Sequence, residues 1–406
     1  MRYAIALWFV LSCVAYTQNS TSKVSAAPGT LKQVLYVADA TNLYTYDIDP
    51  QTYQPSLMGT IPLPKAQLNG LAVSSDGSFL YVMASDPYPA SDNRVYVYDT
   101  NGYGVPGMPV QSIAATNDEG TAFVAPAYGS SMVVDPTGNF LYVVHYGKRA
   151  NRNQNLPWSI YRYEINATNG ELSQLVNAGT YRLPDQAGLN DCSLSILGMN
   201  AKGTEMYDYE FCGTREGTNG YYNEIAVNPQ TGGLGALQQI FAYSVDSFPL
   251  PDSVQIVKGL VFAFEYPIPY QPYNELQVYP VTTGQDAKPL ITCTSTMLAA
   301  CGSDIGVAYT SGKYVFYTNP QDSTTEVDAL DLSSKQIVST GTSFSTPTNA
   351  NNQSNILWFS PDGSVVYAWY QSTISIFGFN VLTAAITTGG SITDTSTVAI
   401  LPAKRD

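Results

Sequence analysis

The chain has 406 residues, 12% of them charged, with a net charge of -14. That balance excludes nucleic acid as a partner class, because phosphate backbones require a basic stripe. Length alone suggests two or three domains, but the repeat described below predicts one.

The N-terminus reads as a secretion signal: Arg2 precedes an apolar run, Ala4–Val14, too short to span a bilayer. Cleavage after Val24-Ser25-Ala26 assigns residues 1–26 to the signal and 27–406 to the mature domain. The alternative is lipoprotein processing in Val10-Leu11-Ser12-Cys13, which leaves a lipid anchor on Cys13. Both routes export the protein, to the periplasm, the medium or the outer surface. No other segment is apolar and long enough to be transmembrane.

The chain then repeats one phrase. Leu71-Ala-Val-Ser-Ser-Asp-Gly-Ser-Phe-Leu-Tyr-Val82 returns as Met132-Val-Val-Asp-Pro-Thr-Gly-Asn-Phe-Leu-Tyr-Val143 and as Leu357-Trp-Phe-Ser-Pro-Asp-Gly-Ser-Val-Val-Tyr-Ala368. Each copy is an apolar strand, a polar turn with a glycine that supplies positive φ, and a second apolar strand. Weaker copies turn at Gly203, Gly259 and Gly312, so the turn glycines recur every 51 to 65 residues from Gly77 to Gly363. Val34-Leu-Tyr-Val37 matches the second half of the phrase and marks a truncated first unit.

A third strand follows each hairpin: Leu43–Ile48, Arg94–Asp99, Ser159–Ile165, Tyr222–Val227, Glu275–Val281, Glu326–Leu332 and Thr373–Phe379. A weaker fourth follows, as at Leu57–Leu63 and Ile337–Thr342. The predicted fold is all-β, a seven-bladed β-propeller of four-stranded antiparallel blades. The first unit lacks its innermost strand, and the C-terminal stretch Ser396–Leu401 is expected to supply it and close the ring.

Of five cysteines, Cys13 lies in the signal and four remain to pair. Cys192 and Cys212 lie ten residues either side of Lys202, where a hairpin sets them opposite each other. Cys293 and Cys301 are eight apart across a connection between units. Export favours two disulfides over free thiols, and the absence of Cys-x-x-Cys disfavours zinc.

The Asp/Thr-Gly-x-Phe-Leu-Tyr-Val phrase and the seven units, over about residues 31–401, resemble the lactonase-like propeller family. That family includes propeller-type 6-phosphogluconolactonases and carboxymuconate cyclases and overlaps the YVTN-repeat surface propellers. The resemblance implies the propeller fold. Active members commonly carry a Pro-His-x-His-Ser-like segment; here the matching stretch is Pro126-Ala-Tyr-Gly-Ser-Ser-Met132. An Arg-His pair before the last blade's inner strand is replaced by Gln353-Ser-Asn355. No catalytic residue carries over.

The densest cationic run is His145-Tyr-Gly-Lys148-Arg149-Ala-Asn-Arg152, which holds the only histidine. In a propeller the loops joining second to third strands share one rim, so Lys148, Arg149 and Arg152 suit a carboxylate or phosphate there. The plain alternative is a solvated loop. Equivalent loops offer aromatic side chains and acids, notably Glu210 near Tyr209 and Tyr221, and Glu265 before Tyr266 and Tyr270. Such surfaces suit sugar rings or a peptide. In-strand tyrosines such as Tyr81 and Tyr142 read instead as core. Inner strands begin near Asn69, Ser130, Asp191, Asp252, Asp304 and Asn355, which is read as turn chemistry, and no metal is expected.

The expected function is a monomeric, exported ligand-binding or interaction scaffold. Its partner is a small acidic or sugar-like ligand or a protein, with no cofactor. The alternative is a lactone hydrolase or cycloisomerase with a rearranged site.

Overall fold

A computed structural model describes residues 33–65, 67–85, 94–100, 104–115, 132–146, 158–173, 176–181, 191–200, 202–213, 218–245, 254–257, 260–265, 275–280, 290–293, 307–310, 313–319, 324–346, 356–370, 372–393 and 399–404. The secretion-signal region, Cys13, Gly259 and Gly312 lie outside them.

The repeated phrase folds as a hairpin whose loop is longer than a two-residue turn. In the second unit the loop runs from Ser74 to Ser78, and Gly77 adopts a φ of 73°. The Ser74 hydroxyl accepts the Phe79 amide hydrogen at 2.9 Å and donates to Asp76 at 2.6 Å. Ser360 and Asp362 repeat this arrangement before Val365. At the third unit Asp135 replaces the serine and accepts the Phe140 amide hydrogen directly at 2.7 Å. The polar side chain at the loop's first residue thus fixes where the returning strand starts.

The described residues form seven four-stranded antiparallel sheets. The first holds β1 (Gln33–Ala38), β2 (Asn42–Ile48) and β3 (Pro55–Pro62); the second β4 (Gln67–Val73), β5 (Phe79–Ser85), β6 (Arg94–Asp99) and β7 (Pro109–Ala114). The third holds β8 (Met132–Val134), β9 (Phe140–Tyr146), β10 (Trp158–Glu164) and β11 (Val176–Tyr181). The fourth holds β12 (Asp191–Met199), β13 (Glu205–Gly213), β14 (Thr218–Val227) and β15 (Leu234–Val245). The fifth holds β16 (Val254–Val257), β17 (Leu260–Glu265), β18 (Glu275–Pro280) and β19 (Ile291–Cys293). The sixth holds β20 (Val307–Thr310), β21 (Tyr314–Asn319), β22 (Thr324–Asp331) and β23 (Gln336–Ser345). The seventh holds β24 (Ile356–Phe359), β25 (Val365–Tyr370), β26 (Thr373–Phe379) and β27 (Ile386–Thr393).

The truncated first unit gains its fourth strand from the chain's end. β28 (Ala399–Lys404) pairs antiparallel with β1, from Gln33 opposite Lys404 to Ala38 opposite Ala399. Of the 396–401 stretch read from the sequence, Ala399–Leu401 fall in this strand, which runs on to Lys404, and residues 396–398 lie outside the described residues.

Successive sheets bury their faces against each other. Leu80 and Val82 of the second sheet meet Val34 and Tyr36 of the first. Tyr81 and Val97 meet Leu141 and Val143 of the third, whose Tyr142 and Ile160 meet Met206 and Ile225 of the fourth. The first strands β12, β16 and β20 touch in turn. Phe316 joins Phe359 and Phe379 between the sixth and seventh sheets, and Tyr367 and Ile374 pack on Leu35 and Val37 of the first. Each fully buried aliphatic side chain contributes roughly 1.5–3 kcal/mol, so these interfaces carry much of the fold's stability.

A second repeat joins third strands to fourth. Asp49, Asn166, Asn228, Asp331 and Asn380 each accept backbone amide hydrogens from residues two or three further on. The residue four positions later has positive φ: Tyr53, Gly170, Gly232, Lys335 and Ala384. At Gly232 a Cβ would lie 2.8 Å from Phe140 of the neighbouring sheet, so glycine serves both conformation and packing there.

Candidate functional site

The sequence-derived candidates fall on second strands and on the connections that follow them. His145 lies one residue before the end of β9, opposite Ser159. Lys148, Arg149 and Arg152 lie outside the described residues. Glu210 lies in β13, opposite Leu194 and Tyr221, and Glu265 ends β17, opposite Glu275. For His145, Glu210 and Glu265 the structure describes the backbone alone.

Strand alternation places two of them on strand faces. His145 follows Leu141 and Val143 at the two-residue spacing of one face, and those residues pack against the second sheet. Glu210 follows Met206 and Asp208 at the same spacing, on the face of the fourth sheet that packs on the third.

The cysteines divide likewise. Cys192 of β12 stands directly opposite Cys212 of β13, the register expected from their distances to the hairpin turn. Cys293 ends β19, and Cys301 lies outside the described residues. Of the polar positions heading the inner strands, Asn69 and Asp191 fall within β4 and β12, and the other four lie outside the described residues.

The sequence reading missed a buried polar pair in the fourth sheet. Five residues after the turn glycine, the second, third and seventh sheets carry Val82, Val143 and Ala368; the fourth carries Asp208. Asp208 is fully buried and pairs in register with Asn223, also fully buried. The Asn223 side-chain amide donates to Asp208 Oδ2 at 3.2 Å. Asp208 Oδ1 and Asn223 Oδ1 are both buried without a partner. Burial pushes the Asp208 carboxyl up to about 7, against the opposing effect of the Asn223 hydrogen bond. Aligning the Gly203 hairpin with its siblings residue by residue exposes this exception.

Two further acids lie in the same sheet. Glu205 accepts hydrogen bonds from Asn200 at 2.8 Å and from the Tyr207 hydroxyl at 2.9 Å. Glu224 is shifted upward by burial and then by the negative charge of Glu205. Among the described residues, no group of three or more His, Cys, Asp or Glu side chains is placed to hold a metal ion. No helix among them is long and apolar enough to cross a membrane.

No protein-family model matches the chain. No curated protein matches it either. Solved structures do. A candidate 6-phosphogluconolactonase from Bacteroides fragilis is similar at a TM-score of 0.57 and 13% identity, over 93% of this chain and 99% of that one. The periplasmic gluconolactonase of Pseudomonas aeruginosa is similar at 0.57 and 14%, over 92% and 99%. A candidate 6-phosphogluconolactonase from Bacteroides uniformis is similar at 0.55 and 11%, over 91% and 99%. At such identities the likeness shows a shared fold and carries no chemistry with it.

Proposed function

We propose that this protein is an extracytoplasmic, monomeric, seven-bladed propeller that binds a small acidic or sugar-like ligand at one rim. In this reading residues 27–406 form one domain and residues 1–26 are removed on export. Two features support ring closure: the seventh sheet packs on the first, and β28 joins the chain's end to β1. Similarity to a periplasmic gluconolactonase fits export.

The observation that carries the rim assignment is the common placement of the candidates. His145, Glu210 and Glu265 all lie on second strands, in β9, β13 and β17, toward the connection to the third strand. The connection after β9 holds Lys148, Arg149 and Arg152. A guanidinium at that loop offers two parallel donors to a carboxylate or phosphate, and the acids of neighbouring loops suit sugar hydroxyls.

The test is a binding screen of sugar acids, sugar phosphates and neutral sugars by calorimetry. For any ligand found, Arg149→Ala and Arg152→Ala should each weaken affinity by roughly 1–3 kcal/mol, and added salt should weaken it too. Unchanged affinity in the double variant removes the site. A second reading, lactone hydrolysis, is favoured by the fold shared with lactonases. Efficient turnover of 6-phosphogluconolactone or gluconolactone by the purified protein would establish it over the binding role.

A further inference from the structure

We propose that Asp208 is a carboxylic acid in the folded protein at mildly acidic pH and closes a two-hydrogen-bond ring with the Asn223 carboxamide. This pair is a pH-sensitive clasp at the interface of the third and fourth sheets.

The geometry supplies one half of the ring. Asn223 donates its amide hydrogen to Asp208 Oδ2. The two atoms left over, Asp208 Oδ1 and Asn223 Oδ1, are both buried without a partner. An ionised carboxylate and an amide carbonyl only accept, so as ions neither helps the other. One proton on Asp208 Oδ1 turns that oxygen into a donor and gives Asn223 Oδ1 the partner it lacks. Reversing the Asn223 amide changes only which carboxylate oxygen faces the N–H and supplies no second donor.

Among the described residues, no cation faces the pair to stabilise the ionised form. The face that carries Met206 and Asp208 packs on Phe140, Tyr142 and Ile160 of the third sheet. The Tyr142 hydroxyl is engaged by the Gly232 carbonyl, and Arg162 lies over Phe140 and pairs with Glu164 at 3.1 Å. The titratable residues of the adjoining strands are Asp191 and Cys192 on β12, Glu205, Tyr207, Tyr209, Glu210 and Cys212 on β13, and Tyr221, Tyr222 and Glu224 on β14; the third sheet adds Tyr142, His145 and Tyr146 on β9 and Tyr161, Arg162, Tyr163 and Glu164 on β10. Burial is what raises Asp208, and no charged group among the described residues counters it. Ionisation would break the second hydrogen bond and leave a charge in a dry interface.

The test compares stability with pH in the wild type and in Asp208→Asn. The asparagine makes the same two-bond ring with Asn223 as an amide pair, without a titrating proton. Asp208 binds its proton more tightly folded than unfolded, so its stabilisation is complete below the ordinary carboxylate range. It is lost as pH rises toward and through about 7. Across that window the folded-to-unfolded ratio of the wild type, relative to the variant, should fall by up to roughly tenfold per pH unit. Asp208→Val, the residue found in two sister sheets, should remove the same slope. Identical slopes in wild type and variants overturn the proposal. If neither variant folds, infrared spectra of the wild type decide: a protonated-carboxyl carbonyl band that persists at pH 6 and fades above pH 8 is expected. A spectrum with no such band at pH 6 overturns it. Stability that rises with added sodium or calcium at constant ionic strength, in the wild type alone, would put an ion in place of the proton and also overturn it.

Discussion

Tyr142 donates its hydroxyl hydrogen to the Gly232 carbonyl at 3.1 Å, across 90 residues of chain and from one sheet to the next. Tyr81 does the same to Gly170 at 3.3 Å. The tyrosine of the Phe-Leu-Tyr-Val phrase thus pins the turn that ends the third strand of the following sheet. Tyr367 holds the same place in the seventh sheet, yet its hydroxyl is buried without a partner.

This contrast gives a paired prediction. Tyr142→Phe should destabilise the protein by roughly 1–2 kcal/mol, because a buried carbonyl loses its donor. Tyr367→Phe should be neutral or slightly stabilising. Urea unfolding of the two variants measures the difference, and equal losses would contradict the pinning role.

Asp328 gives a pH prediction. It is buried in β22, and burial, followed by the charge of Glu326, pushes its carboxyl up to about 6. The folded state therefore holds the proton more tightly than the unfolded one. The stabilisation from Asp328 is complete below its ordinary value and disappears as pH climbs through about 6. Asp328→Asn should gain stability relative to wild type between pH 4 and pH 7, by at most roughly 3 kcal/mol. Denaturant midpoints at the two pH values check the sign.

Removal of residues 399–406 should unfold or markedly destabilise the whole domain. β28 is the only partner of β1 on that side, and without it the hydrogen-bonding edge of Gln33–Ala38 lies open among buried residues. Thermal unfolding of the truncated protein tests this, and a native melting temperature would refute it.

The register of Cys192 opposite Cys212 predicts a disulfide in exported protein. The cross-link closes a loop of about 20 residues, worth roughly 3 kcal/mol by chain entropy. Peptide mapping without reductant should recover the linked pair, and Cys192→Ser with Cys212→Ser should lower stability by a comparable amount. Free thiols at both positions in exported protein would contradict the assignment.

The sequence by itself determined the seven units, their strand order and the hairpin turns at Gly77, Gly138, Gly203 and Gly363. Those features rest on local chemistry repeated in the chain: Asp-Gly or Thr-Gly turns, alternating apolar strands, and spacing within one unit. It also determined that Cys192 would stand opposite Cys212, because a hairpin converts equal distances from the turn into register. The turns from Asp49 to Tyr53 and from Asn228 to Gly232 share Asp/Asn-Pro-Gln-Thr, a repeat that the reading of the sequence passed over. Only the tertiary structure decided which sheet each face meets. That choice set Tyr142 on Gly232 and moved Asp208 from an odd substitution in a repeat to a buried partner of Asn223. Burial and long-range pairing depend on sheets far apart in the chain, and no local pattern encodes the loss of water that gives those contacts their energy.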